Sequence, residues 1–151
     1  METLATLLEQ AETQRNAALA SFNQARARRD GARDQARELE IYRNDYQQRW
    51  NQQFQSRGAG LDILRCYQQF ADRLELALAQ QTHAIEVCEQ TLQRANDTLA
   101  AHELRVASVR KLIERRQDEV RRGAERREQR ASDELAQRMV SRRPTMEGLP
   151  P

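Results

Sequence analysis

Arg57-Gly58-Ala59-Gly60 divides the 151-residue chain into two long stretches of helical pattern. Two of the chain's five glycines stand within these four residues. Glycine weakens a helix by roughly 1 kcal/mol relative to alanine and takes positive φ readily. Placed between two periodic stretches, the pair predicts a helix end and a reversal. Working outward, the sequence predicts a single all-α coiled-coil domain over 1–151. Its parts are helix one over 3–56, a bend at 57–60 and helix two over 61–142.

Before the bend, seam positions alternate four and three residues apart. They are Leu4, Leu8, Ala11, Arg15, Ala18, Phe22, Ala25, Arg29, Ala32, Ala36, Leu39, Arg43, Tyr46 and Trp50. That alternation buries one edge of a helix against another. One track is nearly all alanine between Leu4 and Leu39, which lets the two helices approach closely. The other carries Arg15, Arg29 and Arg43, whose stems cover the seam while their heads reach water. Beside the seam, Gln35, Leu39, Tyr42 and Tyr46 form a second stripe, widening the apolar face beyond what a two-helix contact needs.

After the bend the seam reads Leu64, Tyr67, Ala71, Leu74, Leu78, Gln81, Ile85, Cys88, Leu92, Ala95, Leu99, His102, Val106, Val109, Ile113, Arg116 and Val120. Polar residues at Gln81 and His102 are the kind that fix register. His83 has no Cys or His three or four residues on, so a zinc reading fails. With the bend near 58, antiparallel pairing joins residues whose numbers sum to about 116–118, and helix two outruns helix one by about 25 residues, or roughly 35–40 Å. The overhang, 121–142, contains Arg121, Arg122, Arg126, Arg127, Arg130, Asp133, Glu134 and Arg138. Pro144 ends the helix, and 143–151 is expected to be a disordered tail.

Composition agrees with a rod. Ala, Glu, Lys, Leu and Arg supply 77 of the 151 residues, the share expected of long helices. All three prolines follow residue 143. Residues 121–143 carry eight Arg against four acids, whereas 1–120 are nearly neutral. No apolar run approaches the roughly 18–20 residues that span a bilayer, and the first residues lack a signal-peptide pattern. Cys66 and Cys88 would stand about 33 Å apart on one helix, too far for a bridge, which points to a reduced cytosolic protein.

Phosphate loops, Cys-x-x-Cys pairs, nucleophile elbows and His-Glu-x-x-His are absent from the sequence. Its carboxylates fall on solvated helical faces, and a two-helix hairpin has no pocket in which they converge. The expectation is a protein without enzymatic activity, cofactor or metal. Acids interrupt the arginine runs every few residues and no aromatics interleave them, which argues against nucleic acid.

Four segments carry a family resemblance. Leu4-Ala5-Thr6-Leu7 opens the chain, and Tyr42-Arg43-Asn44-Asp45-Tyr46 ends helix one. Tyr67-Gln68-Gln69-Phe70, with Leu74-Glu75 after it, follows the bend. Asp133-Glu134-Leu135-Ala136-Gln137-Arg138 lies near the C-terminus. In this order and spacing the chain resembles the FliJ family, the stalk component of the bacterial flagellar type III export apparatus.

The resemblance implies an antiparallel two-helix coiled coil whose terminal ends enter the hexameric ring of the export ATPase. There it would promote assembly and activity. It also implies contact with the cytoplasmic part of the export gate membrane protein and with export chaperones. The expected location is cytoplasmic, peripheral to the inner membrane at the flagellar basal body. By resemblance, Gln35, Leu39, Tyr42 and Tyr46, with Phe70, Leu74, Ala77 and Gln81, are gate-docking positions. Gln81 stands where the family often has His. By the same resemblance, the overhang residues named above face the ATPase. The rival readings are the equivalent stalk of a virulence type III system and a generic homo-oligomeric coiled-coil scaffold.

Overall fold

A computed structural model describes residues 2–58 and 60–142. The chain is all-α, with α1 spanning Glu2–Arg57 and α2 spanning Leu61–Ser141, packed antiparallel. Helix α1 has 56 residues and α2 has 81, so the expected longer second helix is present. The tail expected at 143–151 lies outside the described residues.

Gly58 closes α1. Its φ of 66° is left-handed, and its N–H donates to the Phe54 carbonyl at 3.2 Å. Gly60 differs: it is the N-cap of α2, with φ −65° and ψ 160°, a conformation open to any residue. It offers no side-chain cap, but its carbonyl accepts from Leu64 N–H at 3.1 Å, the first hydrogen bond of α2.

The seam is thin. Ala11, Ala18, Ala25 and Ala32 are the buried residues of α1. The buried residues of α2 are Leu74, Leu78, Leu99, Val106 and Val109. Small residues on one helix and larger aliphatics on the other let the axes close without a void. Arg15, Arg29 and Arg43 are half-buried along the other track. Arg43 reaches Glu75 at 3.2 Å across the seam, and Arg29 turns to its neighbour Asp30 at 2.9 Å.

Cross-helix contacts give the register. Arg110 meets Glu12 at 3.1 Å, Arg33 meets Glu89 at 2.8 Å, and near the bend the Phe54 and Tyr67 rings lie 5.6 Å apart. These partners step inward from opposite ends with numbers that sum to 121–122, a few above expectation, while Gln35–Gln81, Tyr46–Phe70 and Arg43–Glu75 meet the expected 116–118. Gln81 Nε2 donates to the Ala32 carbonyl at 2.8 Å, so this polar seam position ties the helices together.

Two edges of the expected seam differ. Leu64 is 40% exposed, and burial begins at Tyr67. The position facing Leu64 falls near Gln53, so no apolar side chain covers it. At the other end Arg116 and Val120 are exposed, because α1 supplies nothing beyond its first residues to cover them.

Candidate functional site

The candidate functional side chains fall at two places along the rod. The first lies on the bend side. Tyr42, 52% exposed, sets its ring 6.3 Å from Phe70 at 72°, an edge-on contact. Tyr46 lies beneath, 4.6 Å from Phe70 and stacked on Tyr67 at 5.6 Å. Trp50 and Phe54 extend the ladder toward the bend, with ring centroids 5.4 Å apart. Such ring pairs stabilise by about 0.5–1.5 kcal/mol each beyond their burial.

Away from the bend, Gln35, Glu38, Leu39, Tyr42 and Gln81 line an open depression of ≈ 430 Å³. Gln81 Nε2 also donates to Gln35 Oε1 at 3.2 Å, holding its far wall together. The eight expected docking residues therefore lie along one strip, about 16 Å from the Gln35–Gln81 pair to the Tyr46–Phe70 pair. They are not equally accessible. Gln35 and Tyr42 are exposed, and Leu39, Tyr46, Phe70, Ala77 and Gln81 are half-buried. Leu74, at 7% exposure, belongs to the core beneath. The seam pattern already put Leu74 inside, so its burial was legible. Glu38, which adds a carboxylate to the rim, was missed. Its position three residues after Gln35 and four before Tyr42 on one helical face was the available signal.

The second place is the overhang. From Glu114 to Arg142 no residue is buried, and only Asp118 and Gly123 are partly covered. Arg121, Arg122, Arg126, Arg127, Arg130, Asp133, Glu134 and Arg138 are all exposed on a continuous helix. Arg121 pairs within the helix with Asp118 at 3.0 Å, and Asp133 accepts from Gln129 at 3.3 Å. The charge pattern had hidden how far the apolar thread runs past Val120, the last residue of the expected seam. Val120, Leu135 and Met139 are 62%, 60% and 68% exposed. With Ala124 and Ala131 they continue the line of Ile113 down one side of α2, at spacings of four and seven.

The family model described as flagellar FliJ protein matches residues 1–145, nearly the whole chain. The chain belongs to the FliJ family. Membership makes it a non-catalytic coiled-coil component of the flagellar export apparatus. Neither a curated protein nor a solved structure matches it. Among the described residues no helix is long and apolar enough to cross a membrane.

Proposed function

We propose that this chain is the central stalk of the flagellar export apparatus, a rod joining the hexameric export ATPase to the export gate. The overhang of α2, with the paired termini behind it, enters the pore of the ATPase ring. The strip around Tyr42 meets the cytoplasmic part of the gate membrane protein, and export chaperones are further partners. The protein then sits in the cytoplasm at the inner-membrane face of the flagellar basal body. Hydrolysis belongs to the partner. The stalk contributes asymmetry: a single off-centre helix in a near-symmetric ring contacts some subunit interfaces more strongly than others, which biases their conformations and the order of turnover.

The observation that carries this reading is the single helix of α2 extending past the last buried seam residue, Val109, to Ser141. A lone helix of that kind is narrow enough for a ring pore and carries both charge and exposed apolar side chains on it. The decisive experiment mixes the purified chain with the export ATPase and follows ring formation and hydrolysis. Stimulation that is lost on deleting 121–143 is expected. No stimulation, or stimulation unaffected by the deletion, would overturn the stalk reading.

A further inference from the structure

Acids are sparse around the bend. Between Asp45 and Asp72 the only acid is Asp62, against Arg49, Arg57 and Arg65. An acid-free run with Arg15, Arg26, Arg28 and Arg29 also lies between Glu12 and Asp30, but there α1 is packed on α2 through Ala18 and Ala25. All three arginines are exposed, and none joins an ion pair among the described residues. The same end presents three large aliphatic side chains to solvent: Leu61 is 70% exposed, Ile63 47% and Leu64 40%.

The arrangement of these aliphatics restricts what covers them. Successive helical residues turn by about 100°, so Leu61 and Leu64, three apart, share one face of the first turn of α2, and Ile63 points to another side. A protein groove takes a stripe of residues three, four and seven apart on one face. A groove on the Leu61–Leu64 face leaves Ile63 uncovered, whereas a medium apolar on more than one side of the rod's end covers all three, and the nearby arginines suit a negative plane around it. Both conditions are met by the interface of an anionic bilayer. Trp50, half-buried just behind, is of the type that settles at the headgroup level.

We infer that the hairpin tip is a lipid-contact site, with Leu61, Ile63 and Leu64 entering the interface of an anionic membrane and Arg49, Arg57 and Arg65 meeting its phosphates. The contact is weak by itself, since stable anchoring takes more than one signal. Its effect is to stand the rod end-on to the membrane. The overhang then points away from the bilayer. The tip contact and any ATPase contact use opposite ends of the molecule, so failure of one leaves the other intact.

The test is flotation of the full chain with vesicles of phosphatidylglycerol and phosphatidylcholine, and with vesicles of phosphatidylcholine alone. Association with the anionic vesicles only is expected, with a blue shift of Trp50, the sole tryptophan. Each of Arg57→Gln and Arg65→Gln should weaken it by ~5-fold. The pair Leu61→Ser and Ile63→Ser should abolish it with helical circular dichroism unchanged, because neither side chain is part of the buried seam. The pair Arg126→Gln and Arg127→Gln on the overhang should leave it in place. Four results would overturn the assignment: no vesicle binding, equal binding to neutral vesicles, binding that survives the aliphatic pair, or binding lost with the overhang pair. Capture of the gate protein that depends on Leu61 and Ile63, without vesicle binding, would assign the tip to a protein instead.

Discussion

Replacing Gly58 by alanine puts a β-carbon on left-handed backbone, which costs about 1–2 kcal/mol. Gly60 lies in a region open to any residue and caps α2 without a side-chain oxygen, so Gly60→Ser should stabilise by a few tenths of a kcal/mol, on the order of the serine–glycine difference at an N-cap. Urea midpoints of the two variants should therefore move in opposite directions. The sequence showed that a reversal needs glycine at this place. It did not show which of two glycines carries the backbone, because that depends on where the last turn of α1 stops. Tyr42 and Leu74 divide similarly. Tyr42→Ala should weaken gate binding by at least about tenfold, the scale of an exposed aromatic central to an interface, with little change in stability. Leu74→Ala should cost about 2–5 kcal/mol of stability, and any loss of gate binding should follow unfolding. Binding isotherms and urea melts on both variants would separate the roles. Family resemblance marks the two residues alike; only the seam period tells them apart.

At the scale of the helix, the alanine track is the constraint. Ala25, 6% exposed, lies on the buried track between the helices. Ala25→Leu has no room, and should destabilise by about 1–3 kcal/mol as the axes are forced apart, read as a lower thermal midpoint. This element was legible because one buried edge imposes one period. Neither strands nor loops produce the four–three alternation that runs from Leu4 to Trp50. Its ends were less legible. Periodicity places Leu64 on the seam, but burial also needs a partner, and the opposite position near Gln53 supplies none. The overhang was misread in the other direction. Its arginines obscured Leu135 and Met139, which carry the seam line on past Val120 without a partner helix to make the line conspicuous.

For the whole molecule, one number, the position of the bend, determines most of the architecture. Placing it near Gly58 brings Gln35 opposite Gln81 and Tyr46 opposite Phe70, and leaves the end of α2 alone. All of that followed from the sequence once antiparallel pairing was assumed. What a partner recognises did not follow, because exposure depends on small rotations about each helix axis that a heptad count cannot resolve. The aromatic ladder carries a further consequence, for how the chain folds. Its rings, from Tyr42 to Phe54 and from Tyr67 to Phe70, are the contacts closest in sequence across the bend, so they close the smallest loops. The ring contacts are therefore the least costly in chain entropy. Nucleation is expected at Phe54 and Tyr67, with zipping outward through the alanine track, and slower amide exchange near the bend than near the termini would check it. Unzipping runs the other way, so the end that opens first is the one carrying the free helix. Helix separation there loosens the termini while the ladder near the bend stays shut.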